Sequence, residues 1–344
     1  MIGFSLDILR VPCHYNFRIR IMADKKDIPV ALLDILKTYT DENHILSTAQ
    51  IIDKMNLIYG ISMERRTLYA NIELLKKYGH QISDWHDNGS GYFLKEHQFT
   101  NSEVLLLCNA IHASHFISAA ESDAMIKKLL DTQSTFEQRN FRDSVYLPNP
   151  KKTDNKTLLQ NIRVLSKAIQ DRRSVKFVYL HYNKEKKLEP RREKLYDVQP
   201  RFIVFLDSRA YIVVTSDHHP GFGHYRIDRM KKVELGENTF PALRDDIDAY
   251  QYAANRYYMY TDAIISASFR CRYSVLDHMI DIFGTGFTLI PYNDDYFDMH
   301  VRGSGEGLLL LAQQYIDSIT ILEPEELRNN MKERLAQAQK NYSD

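Results

Sequence analysis

Hydrophobic positions change period several times along the chain, and each change marks a boundary. From residue 29 to 39 the apolar positions Leu32, Leu33, Ile35 and Leu36 form a helical stripe with Pro29 at its start. Ser47 and Thr48 open a second helix, in which Ile51, Ile52, Met55 and Ile58 recur at spacings of three and four before Gly60 stops it. Ser62 then reads as the N-cap of a third helix running to Lys77 and closed by Gly79, with Leu68, Ile72 and Leu75 on its core side. Strand-like pieces at 81–85 and 92–95 flank Asp87-Asn88-Gly89-Ser90-Gly91, a sequence with the chemistry of a tight hairpin. Three short helices and a hairpin predict a winged helix-turn-helix over residues 28–97. Residues 1–27 precede it as an N-terminal extension, and the first 21 lack coherent patterning and are expected to have no structural role.

Residues 98–157 read as a helical linker, with Leu105, Leu106, Leu107, Ile111, Ile126, Leu129 and Leu130 as apolar positions and Pro148-Asn149-Pro150 as a break. After a helix at 158–171 the period becomes that of strands, at 175–181, 194–200, 202–206, 210–215, 224–227 and 232–235. Short strands joined by tight turns, with no long helix among them, predict a small β-barrel over residues 158–240. From 260 to 344 the order is strand 264–272, helix 274–283, strand pair 287–291 and 296–301, helix 306–316, strand 318–322 and helix 324–342. That βαββαβ order with a trailing helix predicts a ferredoxin-like domain. The whole is a multidomain α+β chain.

Composition supports this plan. A length of 344 residues exceeds one ordinary core, and the 44% hydrophobic and 26% charged content is that of a globular protein. No apolar run approaches the ~20 residues of a membrane span. Cys13, Cys108 and Cys271 are odd in number and far apart, which argues for a reducing, cytoplasmic setting and against a disulfide framework or thiolate metal cluster. The zero net charge conceals a division. Residues 151–232 hold 20 Lys and Arg against 9 Asp and Glu, whereas residues 233–344 hold 9 against 18. The basic block is a candidate for an anionic ligand, the alternative being two modules that neutralise each other.

The third helix carries the nucleic-acid chemistry. Opposite its core side lie Ser62, Arg66, Tyr69, Ala70, Glu73 and Lys77, with Arg65 on the flank and Thr67 in the same N-terminal turn. Arg66 can grip a guanine edge with two donors, and Arg65 and Tyr69 can reach bases or phosphates. Ser47 and Thr48 offer backbone N–H groups to a phosphate. His86, Asn88 and Lys95 place the hairpin against the DNA backbone as a wing. Residues 22–100 nevertheless hold 9 Lys and Arg against 11 Asp and Glu, so one copy is expected to bind weakly and a homodimer on two half-sites to recover affinity.

These residues resemble a known family. Ser62-Met63-Glu64-Arg65-Arg66-Thr67-Leu68-Tyr69 is similar to the recognition helix of DeoR-type winged-helix regulators, and Gly91-Tyr92-Phe93-Leu94 to the end of their wing, although Ala70-Asn71 stands where many carry Arg-Asp. Pro200-Arg201-Phe202-Ile203-Val204-Phe205 and Ala210-Tyr211-Ile212-Val213 resemble the core of the WYL domain, with Ala210 in place of the Trp and Ile212 in place of the Leu. Tyr225-Arg226-Ile227-Asp228-Arg229-Met230 resembles its later motif, and the ferredoxin-like tail resembles the extension that commonly follows it. The resemblance implies a homodimeric transcriptional regulator that binds a double-stranded operator. It also implies an Sm-like or SH3-like WYL barrel that senses an anionic effector, single-stranded nucleic acid among the candidates. Tyr179, Arg191, Arg201, Tyr211, Arg226 and Arg229 are its ligand residues by that resemblance. Guanidinium groups for phosphates and rings for bases agree with it. Two alternatives stay open: Arg226 and Asp228 as a structural ion pair, and Tyr211 as core.

Other chemistry is not indicated. Gly303-Ser304-Gly305-Glu306-Gly307 lacks the lysine and preceding strand of a phosphate loop and reads as a helix cap. His218, His219 and His224 read as a solvated loop, and His112 and His115, one helical turn apart, as a packing surface rather than metal ligands. Asn293-Asp294-Asp295 and Asp245-Asp246 read as turns. No nucleophile motif, metal or cofactor is expected, and the chain is read as a regulator rather than an enzyme. The competing reading is a nucleic-acid-binding adaptor in which the basic barrel is the main surface and the winged helix binds protein.

Overall fold

A computed structural model of the chain describes residues 25–96, 98–144, 152–206, 208–217, 219–242, 252, 256 and 259–342. The expectations for residues 1–21, for Pro148-Asn149-Pro150, for His218 and for Asp245-Asp246 lie outside the described residues. The chain divides into two compact units, Met1–Ser114 with Ala119–Lys151 and His115–Ser118 with Lys152–Asp344.

In the first unit α1 (Ile28–Tyr39), α2 (Thr48–Tyr59) and α3 (Arg65–Lys77) close over Leu32, Ile35, Leu36, Ile51, Met55, Leu68 and Ile72. A reciprocal capping box starts α2: the Ser47 Oγ accepts from the Gln50 N–H, and the Ser47 N–H donates to Gln50 Oε1. Gly60 ends it in the left-handed conformation that glycine adopts without strain. The third helix begins later than its sequence suggests. Ile61 is buried, which keeps the chain extended through Ser62, so Glu64 takes the N-cap position without a side-chain bond and Ser62 stands exposed outside the helix.

The hairpin also departs from expectation. Strands β1 (Ile82–Ser83) and β2 (Phe93–Leu94) pair antiparallel, but a helical turn, α4 (Trp85–Asn88), lies between them and overlaps the tight turn expected at 87–91. Asp84 caps that turn by accepting from the His86 N–H at 2.9 Å. Asn88 then gathers the loop, accepting from the Ser90 and Gly91 N–H groups at 2.7 and 2.9 Å and donating to the Ser83 Oγ at 2.8 Å. Leu46 and Tyr92 exchange backbone bonds of 3.0 and 2.8 Å, tying the hairpin to the segment ahead of α2. Trp85, the chain's single tryptophan, is 63% exposed on α4.

Three helices complete this unit: α5 (Asn101–Ala113), α6 (Ala119–Leu130) and α7 (Thr135–Ser144). On α5 only Val104 and Cys108 turn inward; Leu105, Leu106 and Leu107 are exposed, because three consecutive leucines cannot share one helical face. The helix ends at Ala113, so His112 and His115 do not sit one turn apart on it. Between α1 and α2, Asp41 is buried and accepts from the Ser134 Oγ at 2.6 Å and the Asn43 N–H at 3.0 Å, with His44 Nδ1 at 2.7 Å. The His44 ring stacks on Phe136 of α7 at 3.7 Å.

The second unit begins with α8 (Leu158–Gln170), whose Leu158, Asn161, Leu165 and Ala168 are buried. Its sheet contains β3 (Arg173–Tyr182), β4 (Leu188–Pro190), β5 (Tyr196–Leu206), β6 (Arg209–Ser216), β7 (His219–Arg226) and β8 (Met230–Thr239). Strand β3 pairs with β8 on one side and with β5 and β4 on the other, and β5-β6-β7 continue from there. The result is a curled sheet, a half-barrel, rather than a closed barrel: among the described residues β7 and β8 form no ladder and are joined by a 3-10 turn at Ile227–Arg229. The two strands read at 194–200 and 202–206 are one, β5, carrying a bulge between Pro200 and Phe202.

A second sheet follows in the order β10-β11-β9-β12, all antiparallel, from β9 (Ile264–Arg272), β10 (Thr288–Pro291), β11 (Tyr296–Ser304) and β12 (Ile319–Glu323). Helices α9 (Leu276–Phe283), α10 (Gly305–Gln314) and α11 (Glu325–Asn341) contribute Met279, Leu308, Leu311 and Leu327 to a core against Phe269, Phe297 and Met299. The glycine-rich run at 303–307 joins β11 to α10, with the Ser304 Oγ accepting from the Gly307 N–H at 3.2 Å. No helix of the described residues is long and apolar enough to cross a membrane.

Candidate nucleic-acid interface

The outward face of α3 is built by the phase of its buried side. With Leu68, Ile72 and Leu75 inside, Arg65, Arg66, Tyr69, Ala70, Glu73 and Lys77 are exposed and Thr67 is half-buried. Among the described residues Arg65 and Arg66 have no ion-pair partner, so both guanidinium groups are unengaged at the start of the helix. The Tyr69 hydroxyl lies 3.5 Å from the Thr48 Oγ1, which joins the α3 face to the start of α2. Two expected contacts are pre-empted. The Ser47 N–H already donates to Gln50 at 2.8 Å, and Lys95 pairs with Asp87 at 2.8 Å. Ser62 lies near this face but outside the helix.

In the second unit the strands bring four rings together. Phe177 and Tyr196 are cross-strand partners and stack at 5.3 Å; Tyr225 lies 5.0 Å from Tyr179 and 5.2 Å from Tyr196, near edge-on to both. Burial pushes the Tyr179 and Tyr225 phenols up from their ordinary range, so they remain neutral hydrogen-bonding groups. Arg192 covers the Tyr196 ring at 3.6 Å, and Arg229 lies 5.6 Å over the ring of Tyr182. Arg191 is exposed and its N–H donates to the Tyr179 carbonyl at 2.8 Å. Among the described residues neither Arg191 nor Arg229 has a carboxylate partner. Phe177, Tyr179 and Tyr196 are buried and Tyr225 half-buried, so the part of the set that faces outward is the exposed Arg191 and Arg192, which can neutralise an anion.

The other residues anticipated here divide. Arg226 forms a two-bonded ion pair with Asp228, 3.0 and 2.7 Å, and Asp228 is only 5% exposed. Burial acts to lower the Arg226 pKa, but Asp228 outweighs it and the net shift is upward. Its charge is thus compensated within the fold. Its N–H also donates to the Tyr179 hydroxyl at 3.2 Å. Arg201 points elsewhere: it donates to Thr215, Gln199 and the Pro241 carbonyl, and its guanidinium covers Phe240 at 4.5 Å. Tyr211 is half-buried and pairs across strands with Arg226. Arg192, Tyr196 and Tyr225 complete the cluster although the residue types alone did not single them out; the signal is the pairing of four strands, which no local spacing reveals.

His224 corrects the reading of a solvated histidine loop. It lies in β7, half-buried, with Nδ1 2.9 Å from the Met259 carbonyl and Nε2 2.6 Å from the Tyr252 hydroxyl. Burial brings its pKa down to about 4. Among the described residues no group of three or more His, Cys, Asp or Glu gathers as a metal site. Cys108 and Cys271 are buried, which pushes their thiols up to about 11 and about 12.

Residues 160–235 match the WYL domain family, so a WYL domain spans α8 and the curled sheet as far as β8. Two solved structures are similar to the chain. Proteasome accessory factor B/C (PafBC) of Arthrobacter aurescens is 17% identical, with a TM-score of 0.27, over 93% of this chain and 49% of that one. A CRISPR Cas-related protein is 12% identical, with a TM-score of 0.33, over 91% of this chain and 83% of that one. The chain thus spans about half the length of the PafBC chain it matches. No curated protein matches it.

Proposed function

We propose that this chain is a WYL-domain transcriptional regulator and not an enzyme. In this reading residues 28–97 are a winged helix-turn-helix of DeoR type that binds a palindromic operator as a homodimer in the cytoplasm. The observation that carries it is the start of α3, where Arg65 and Arg66 are exposed beside Tyr69 and, among the described residues, free of acidic partners. A guanidinium kept free of carboxylates at the start of such a helix is suited to a guanine edge or a phosphate. The WYL domain is the sensor. Arg191 and Arg192 beside Tyr196 and Tyr225, with Arg229 over Tyr182, receive an anionic ligand of nucleic-acid type, while Arg226 and Arg201 hold the domain together. Residues 260–344 are a ferredoxin-like extension. The ligand acts on DNA affinity only through its different affinity for two arrangements of the dimer.

Arg66→Ala tests the reading. Operator affinity, measured by mobility shift, is expected to fall about 10- to 100-fold while binding of short single strands is retained. The second reading, an adaptor whose working surface is the basic segment 151–232, has its charge of 20 Lys and Arg against 9 Asp and Glu in its favour. On that reading Arg66→Ala leaves nucleic-acid binding nearly unchanged. For the sensor, Arg191→Ala with Arg229→Ala should keep operator binding and remove the response to short oligonucleotides; an intact response would reject the cluster as the ligand site.

A further inference from the structure

The C-terminal sheet has a second face of a character opposite to its surroundings. Its core side buries Ala267, Phe269 and Cys271 of β9 and Phe297, Met299 and Val301 of β11. Alternation places Ser266, Ser268, Arg270 and Arg272 on the other side of β9, opposite Arg302, His300, Asp298 and Tyr296 of β11. Residues 260–344 hold only 7 Lys and Arg against 13 Asp and Glu, yet three of those arginines lie on this face. Two carboxylates share it, Asp298 and, at the register position opposite Ser268, Glu323. Asp298 is already engaged by Arg270, at 2.8 and 3.0 Å.

The face is also rich in flat groups held in fixed orientations. Arg270 covers the ring of Tyr292 at 3.3 Å, and Tyr292 is 55% exposed. Arg272 lies 5.4 Å over Tyr296 on the neighbouring strand. His300 is exposed, with Nδ1 2.7 Å from the Ser268 Oγ, a contact that fixes its ring. Arg272 and Arg302 are exposed and, among the described residues, have no carboxylate partner. Same-face residues along one strand are about 7 Å apart. Tyr296 and His300, with Asp298 between them on the same face, are therefore about 14 Å apart, a span that alternate bases of an extended chain can bridge.

We propose that this open sheet face binds a short single-stranded oligonucleotide, its bases stacking on Tyr292, Tyr296 and His300 and its phosphates meeting Arg272 and Arg302. A four-stranded antiparallel sheet with rings on the central strand β11 and in the turn before it, beside arginines of β9, suits single strands, because bases can be splayed across it and stacked. A duplex keeps its base faces covered and could use only the arginines. The site is separate from the tyrosine–arginine cluster of β3–β7 and stands or falls independently of the sensor reading above.

The test uses the full chain carrying Arg191→Ala and Arg229→Ala, which removes the WYL cluster as a competing site. Anisotropy is followed with fluorescein-labelled oligothymidylate and oligouridylate of about eight nucleotides, a typical length for such surfaces. Tyr296→Ala and Arg302→Ala are each expected to weaken binding at least about fivefold, and Tyr296→Phe to retain it. An iodouracil probe should crosslink to the β11 peptide. A preference for the DNA or the RNA probe supports the proposal and identifies the source. Thermal melting checks each fold; should Tyr296→Ala unfold the chain, the exposed Arg302→Ala and the crosslink decide. Unchanged affinity in Arg302→Ala, equal binding of a duplex, or crosslinks confined to β3–β7 would overturn the proposal.

Discussion

Gly91 sits where the hairpin meets the segment ahead of α2, and a Cβ there would come within 2.3 Å of the Leu46 carbonyl oxygen. Because the obstructing atom is backbone, it cannot rotate away. Gly91→Ala should therefore break the Leu46–Tyr92 bridge and cost about 1–3 kcal/mol, measured by urea unfolding. The arginines of the second unit differ as sharply. Arg226→Ala strands the buried Asp228 without its cation and should cost about 3 kcal/mol, whereas Arg229→Ala should stay within about 0.5 kcal/mol. The adjacency of Arg226 and Asp228 makes their pairing legible in the sequence. The fate of Arg201 is not, because its strongest backbone acceptor is a carbonyl 40 positions away.

Among the elements, the connection between α1 and α2 is fastened to α7 by Asp41, Ser134, His44 and Phe136. Burial pushes the Asp41 carboxyl up, but the hydrogen bonds from Ser134, His44 and the Asn43 N–H outweigh it and hold it below the ordinary carboxylate range. A carboxyl lowered in this way stabilises the folded chain above its unfolded pKa and loses that contribution as pH falls through the folded value. The stability advantage of the wild type over Asp41→Asn should thus be full above about pH 4 and vanish in more acidic solution, as read by urea unfolding across pH. Helix phases and the C-terminal strands were readable because one face of each is buried; in β9 apolar and polar residues alternate from Ile265 to Arg272, all but its first position. What escaped were features set by tertiary demands. Burial of Ile61 delays α3, Asp84 diverts the hairpin into a helical turn, and the three residues of β4 form only because β3 offers an edge.

At the scale of the whole molecule, residues 22–100 hold 9 Lys and Arg against 11 Asp and Glu, and two of those cations, Lys76 and Lys95, are already engaged by Asp84 and Asp87, which leaves fewer for phosphates. Operator binding is expected to require two copies, so a probe with a single half-site should bind far more weakly than the full palindrome in a mobility shift. The tyrosine–arginine cluster was only half legible: its arginines lie in a visibly basic block, but its ring floor is assembled from three strands whose pairing is a long-range property. One detail of the hairpin has a practical use. Since Trp85 is the chain's only tryptophan and stands largely in solvent on the helical turn between β1 and β2, excitation at the red edge of protein absorbance lights that turn alone. The native protein thus carries its own optical probe at the hairpin. An operator that reaches it should shift or quench the emission, while a ligand confined to the WYL domain should leave the signal unchanged until DNA is released.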